Sequence, residues 1–184
     1  MKKKLTVTLA VMALVACMAA GATLAWLTTK TDSVVNTFTY GDIDITLAET
    51  TGTSYKMVPG NTIAKDPKVT VKANSEACWL FVKVEKSSNF DDFMTYTIAE
   101  GWTQLKDSSG NDVAGVYHRK VGASTTDQAF DVLSGNSVTV NDTVTKEMFN
   151  ALTESTMPKL TVTAYACQKD NVADATTAWG LIQK

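Results

Sequence analysis

The feature that most constrains the fold of this chain is a strict alternation of apolar and polar residues in short segments. It is clearest in residues 160–167, LTVTAYAC. One face of this segment carries Leu160, Val162, Ala164 and Ala166, and the other carries Thr161, Thr163, Tyr165 and Cys167. An alternation of period two places side chains on opposite faces of a β-strand. The 28 Thr and 19 Val residues, against 3 Pro, also favour strands, because β-branched side chains pack well in sheets.

Residues 78–85, CWLFVKVE, form the most apolar stretch after the N-terminal segment and predict a central strand that is covered on both faces. Turn residues separate this stretch from other short alternating segments, and the polar cluster 106–112 predicts a hairpin. Helical spacing appears only in residues 145–153 and in 174–182, where Asp174 is the expected N-cap. About nine short strands and one or two short helices predict an all-β fold, an antiparallel jelly-roll-like sandwich over residues 38–184.

The first 25 residues have the layout of a signal peptide. Three lysines, Lys2 to Lys4, precede an apolar run that extends to about Leu27. Thr23 and Ala25 predict cleavage before Trp26, and Ala20 with Ala22 offers a second site three residues earlier. With either cleavage the membrane is involved only during export. Two alternatives remain open at this point: an uncleaved signal acting as an anchor, and lipidation of Cys17, which follows a lipoprotein-like Leu-Val-Ala sequence. Either alternative predicts a monomeric binding module anchored at the cell surface.

Residues 26–37, WLTTKTDSVVNT, form an N-terminal arm that is too short and too polar to fold by itself. Its apolar side chains are Trp26, Leu27, Val34 and Val35. We expect the arm to add as a strand to an open sheet edge of a second copy, where alternate side chains are buried. Such a contact is head-to-tail and does not close, so it predicts a filament in which the partner is the protein itself.

Export also bears on the cysteines. After removal of residues 1–25, only Cys78 and Cys167 remain. They permit one disulfide, with a single possible connectivity. Two buried free thiols are the other interpretation, because cysteine packs well as a small apolar residue.

Composition argues against several classes of function. The mature chain has 14 basic and 19 acidic side chains, a net charge of −5, so a nucleic-acid partner is not expected. The single histidine, His118, cannot supply a zinc site that needs two or three histidines. No catalytic constellation, cofactor fingerprint or metal-ligand motif occurs. We therefore expect a protein that is not an enzyme and that has no cofactor.

Three segments, residues 21–49, 57–85 and 158–170, resemble the TasA and camelysin family of Gram-positive bacteria. The resemblance implies export through a SipW-type signal peptidase and a mature N-terminus at an aromatic residue after a small one, which Trp26 after Ala25 matches. It also implies a jelly-roll-like sandwich that assembles into extracellular fibres of a biofilm matrix. Camelysin-like members have been classed as metallopeptidases, but this sequence shows no ligand set for that activity.

Overall fold

The computed structural model describes residues 42–52 and 55–184. The predicted signal peptide with Cys17 and its Ala25–Trp26 cleavage site lies outside these residues. So does the N-terminal arm with Leu27, Val34 and Val35. The predictions for these segments stay predictions.

The described residues contain ten strands and three short α-helices. The strands are β1 (Ile45–Ala48), β2 (Thr62–Ala64), β3 (Lys68–Val71), β4 (Cys78–Lys86), β5 (Met94–Thr95), β6 (Thr103–Lys106), β7 (Asp112–Val121), β8 (Gln128–Asp131), β9 (Ser137–Val140) and β10 (Leu160–Gln168). The helices are α1 (Phe90–Phe93), α2 (Lys146–Asn150) and α3 (Ala175–Ile182), with 3₁₀ turns at Ser134–Asn136 and Glu154–Thr156. The predicted hairpin is β6–β7.

The strands form three antiparallel sheets, with strand orders β1-β3-β8, β10-β4-β7-β6 and β2-β9-β5. This arrangement confirms the all-β sandwich. Both predicted helices are present, and the Asp174 side chain accepts from the backbone N–H of Thr177 at 2.7 Å, as an N-cap does. The one-turn helix α1 was not predicted, because four residues are too few to show a helical period.

Strand β4 is central and covered on both faces, which confirms its prediction. Cys78, Leu80, Val82 and Val84 belong to the core shared with the other sheets. Trp79 and Phe81 belong to a second core. Helix α3 closes this second core through Trp179, whose ring centroid lies 5.3 Å from that of Phe81. The run is apolar without interruption because neither face of the strand meets solvent.

The two cysteines of the mature chain lie on neighbouring strands but are free thiols. In the β4–β10 register, Cys78 is opposite Gln168 and Cys167 is opposite Trp79. Opposite residues in an antiparallel pair point to the same face, so a one-residue offset sends the two thiols to opposite faces of the sheet. Cys78 accordingly packs in the first core and Cys167 against the second. This geometry favours the interpretation of two free thiols, because it directs the two sulfur atoms apart.

Candidate assembly site

One side of the sandwich presents a long edge strand. Strand β10 pairs with β4 along nine residues, and no strand of the described chain pairs with its outer edge. β1 belongs to another sheet and packs near β10 without hydrogen bonding to it. Residues 162–167 are all half-buried, whereas the β4 residues beside them are mostly buried. β10 therefore offers backbone donors and acceptors and partly covered side chains to an additional strand.

A groove of about 490 Å³ lies at the Leu160 end of β10, and we call it the apolar groove after the larger number of its lining residues. Its apolar lining includes Tyr55, Met57, Ile63, Phe90, Met94, Met157 and Leu160. Lys65, Lys159 and Thr161 also line it. Met157 keeps 43 % of its surface exposed, an unusual fraction for a large apolar side chain beside a core. Three of the lining residues are methionines, whose unbranched side chains adapt to ligands of irregular shape.

The rim of the groove is held by polar contacts. Lys65 pairs with Glu49 at 2.8 Å, and its ammonium lies 5.8 Å from the centre of the Tyr55 ring. Asp66 accepts hydrogen bonds from the backbone and side chains of Thr50 and Thr51, which hold the pKa of its carboxyl well below the usual value. These contacts fix the segment that follows β1 against the segment that follows β2.

The chain enters the described sandwich at the other end of β10. The Asp42 carbonyl accepts from the backbone N–H of Glu76 at 3.0 Å, two residues before the start of β4. That start, Cys78, pairs with Gln168, the last residue of β10, whereas Leu160 pairs with Lys86. At about 3.4 Å per residue, β10 is ~27 Å long. The point from which the upstream chain departs and the apolar groove are therefore separated by about the length of the strand.

Sequence reasoning did not find the groove. Residues Met57, Phe90 and Met157 lie in connections between strands, where an apolar residue gives no periodic signal. The Met157–Pro158 pair directly before β10 was the available sign, since a large apolar residue in an exposed turn is uncommon.

Comparison with protein-family models matches residues 1–157 to the model described as camelysin metallo-endopeptidase. The chain belongs to the camelysin family. This confirms the resemblance to the family: segments 21–49 and 57–85 lie within the matched residues, whereas segment 158–170 lies beyond them. The match supports a secreted or cell-surface protein of a Gram-positive bacterium. No curated protein and no solved structure matches this camelysin-family chain significantly. Within residues 42–52 and 55–184, no helix has the length and apolar character needed to span a bilayer.

The family description implies a metal ion, and the donor side chains of the described residues do not fit one. Across the part of the chain that the structure describes, no three His, Cys, Asp or Glu side chains come together as ligands. His118 packs between the rings of Trp79 and Phe81, at centroid distances of 5.7 and 6.1 Å. Burial and the neighbouring Lys120 lower the pKa of its imidazole. A cation beside the single histidine opposes binding of a divalent metal ion.

Proposed function

We propose that the mature chain is a secreted structural protein that polymerises head-to-tail into extracellular fibres of a biofilm matrix. The N-terminal arm of one copy, residues 26–37, adds as a strand to the β10 edge of the next copy, beginning at the apolar groove. The observation that carries this proposal is the unpaired edge of β10 with that groove at its Leu160 end.

The positions of the chain's departure point and of the groove, at opposite ends of β10, support a chain of subunits rather than a closed dimer. The upstream chain departs near the Gln168 end of β10, and the groove lies near the Leu160 end. A neighbour placed beyond the departure end can therefore receive the arm in its groove while its own arm stays free for a further copy. Contacts between different surfaces of successive copies propagate unless rotation closes a ring.

The energies involved predict slow assembly that depends on concentration. Each backbone hydrogen bond along the edge contributes about 0.5–1.5 kcal/mol net. Burial of Trp26 or Leu27 against the neighbouring copy contributes about 1.5–3 kcal/mol per side chain. Ordering the arm costs about 1–2 kcal/mol per residue in backbone entropy. The free energy gained from hydrogen bonds and burial is similar in size to the entropy cost of ordering the arm. We therefore expect a stable monomer before assembly.

The test uses the mature protein, residues 26–184, with sedimentation and negative-stain electron microscopy. We expect filaments from the mature chain and a folded monomer after deletion of residues 26–37. Met157→Lys places a charge in the groove and is expected to reduce polymerisation at least tenfold. Leu181→Lys is the matched control, because Leu181 is also an exposed apolar residue, 47 % exposed, but lies on α3 away from the groove.

Two results would contradict the mechanism. Filaments of normal yield from the deletion variant would place the contact elsewhere on the domain. Equal loss in the two lysine variants would show that the groove has no special role. A mature chain that stays monomeric at all concentrations would favour the anchored binding module instead.

The same proposal assigns no peptidase activity to this chain. The supporting observation is the surroundings of His118: the Lys120 cation lies beside the imidazole, and among the described residues no three His, Cys, Asp or Glu side chains come together. The measurement is cleavage of a denatured protein substrate by the purified mature chain, with added Zn²⁺ and with a chelator. Metal-dependent cleavage that is lost in His118→Ala would overturn this part of the proposal.

A further inference from the structure

Arg119 of β7 is held between two aromatic rings at the side of the sandwich opposite to β10. Its guanidinium carbon lies 3.9 Å from the centre of the Phe130 ring and 5.3 Å from that of Trp102. The indole N–H of Trp102 donates to the Asp131 carbonyl at 2.8 Å, which fixes this ring beside β8. The plane of the guanidinium is therefore constrained before any ligand arrives.

The backbone leaves space for this arrangement at Gly101. This glycine has a φ of +86°, and a Cβ built on it would lie 3.1 Å from Nη2 of Arg119. A side chain here would press on the end of the guanidinium. The glycine therefore keeps the two terminal nitrogens of Arg119 accessible from the surface.

Arg119 lacks the polar partners that a half-buried arginine normally has. Its Nε is buried without a hydrogen-bond partner, and none of the six ion pairs formed among the described residues includes it. Those six pairs all use lysines. Lys120 is absent from them as well, and its ammonium lies 4.8 Å from the centre of the Trp79 ring. Two adjacent cations without a carboxylate are unexpected in a mature chain with a net charge of −5.

Both cations open onto one surface depression of about 430 Å³, lined by Trp79, Gly101, Thr103, His118, Arg119 and Lys120. Strand β6 covers the edge of β7 only as far as the pair Thr103–His118. Beyond this pair, no strand of the described chain covers the edge of β7. The side chains of Arg119 and Lys120 leave opposite faces of β7 and reach the depression around this free edge.

We infer that this depression is an oxyanion-binding site. In it, the Arg119 guanidinium donates two parallel hydrogen bonds to a carboxylate or phosphate group of a ligand. Lys120 adds a second positive charge to the same group. A guanidinium already held flat between aromatic rings loses little freedom when it binds, and its forked donors match the spacing of two oxyanion oxygens. The site is separate from the β10 edge and does not depend on the assembly mechanism.

The test is a titration of the unassembled mature protein with inorganic phosphate and, separately, with acetate. The signals followed are the Arg119 Nε–H and Trp102 indole N–H resonances, with chloride at equal ionic strength as the reference. We expect saturable shifts of both resonances, larger for the oxyanion whose charge and shape fit better, so the two titrations distinguish phosphate from carboxylate ligands. The absence of saturation with both anions, or equal shifts with chloride, would overturn the inference.

Variants make the assignment specific. Arg119→Lys keeps the positive charge but loses the two parallel N–H donors of the guanidinium, and we expect at least tenfold weaker anion binding. Lys120→Gln should weaken anion binding several-fold. Lys106→Gln, on neighbouring β6 and paired with Asp112 at 2.7 Å, is the control and should bind as the unmodified chain does. Thermal melts verify that each variant is folded. Unchanged affinity in a folded Arg119→Lys variant would show that the guanidinium is not the binding group.

Discussion

Replacing Gly115 with alanine should separate β4 from β7 at the point where their pairing ends. Gly115 has a φ of +68°, and a Cβ on it would lie 2.3 Å from the Val84 carbonyl oxygen. The pairing of the two strands ends close by, at Lys83 and Val116. A positive φ costs an L-residue about 1–2 kcal/mol. Relieving the overlap requires a strand movement of about 1 Å, and an overpacked site of this kind costs about 1–3 kcal/mol.

The expected loss of unfolding free energy is therefore about 2–5 kcal/mol. For a chain of this size it corresponds to a melting temperature lower by about 4–20 °C. The assay is urea unfolding of the mature protein at concentrations below those that support assembly, followed by tryptophan fluorescence. Gly110→Ala is the control for the backbone alone, because Gly110 has a φ of +85° with no atom within 4 Å of the added Cβ. It should lose only about 1–2 kcal/mol.

The difference between the two variants isolates the contact with the Val84 carbonyl. Gly122→Ala adds a reference without strain, since Gly122 has neither a positive φ nor a close neighbour, and it should change stability little. Equal losses in Gly115→Ala and Gly110→Ala would refute the reasoning. They would show that β7 tolerates a side chain at the close approach to β4.

Three further outcomes are expected. N-terminal sequencing of the exported protein should begin at Trp26, whereas an intact signal peptide or a lipid-modified cysteine would support the anchored module. Mass spectrometry without reductant should find two free thiols, and a disulfide-linked species would contradict the opposite-face geometry. Iodoacetamide should modify Cys167 before Cys78, because burial raises the pKa of the Cys78 thiol to about 11 and keeps it protonated. Asp174→Ala should lower the melting temperature of the mature protein through the missing α3 cap. The hydrogen bond from the Thr177 N–H lowers the pKa of the Asp174 carboxyl in the folded protein. The ionised carboxylate therefore stabilises the fold at pH values above the unfolded-state pKa. This stabilisation is lost as the pH falls through the folded-state pKa. Asp174→Asn, which keeps an acceptor without the charge, should remove that pH dependence, and an unchanged acid profile would contradict this assignment.

The alternation in residues 160–167 already specified both faces of β10. Leu160, Val162, Ala164 and Ala166 pack on the first core, while Tyr165 and Cys167 pack on the second. The continuous apolar run of β4 likewise specified a strand buried on both sides. Such properties depend on residues a few positions apart, whose relative directions follow from strand geometry alone.

The cysteine pair shows where this local reasoning stops. The sequence places Cys78 and Cys167 in two strong strands, but the relative direction of their side chains depends on the β4–β10 register. A slip of one residue would have put both thiols on one face. The register is set by burial on both faces of β4, a property of the assembled sheets rather than of either strand.

Sequence alone therefore determined that this chain forms a strand-rich sandwich with a capped C-terminal helix, preceded by a segment with the layout of an export signal. Tertiary structure decided which surfaces are available to partners. The groove combines residues from the segment before β2, from helix α1 and from the turn before β10. The Arg119 site combines strand β7 with an aromatic ring of β8 and another that precedes β6. Contacts between residues far apart in the chain leave no periodic trace in sequence, because they form only after the sheets have paired and packed.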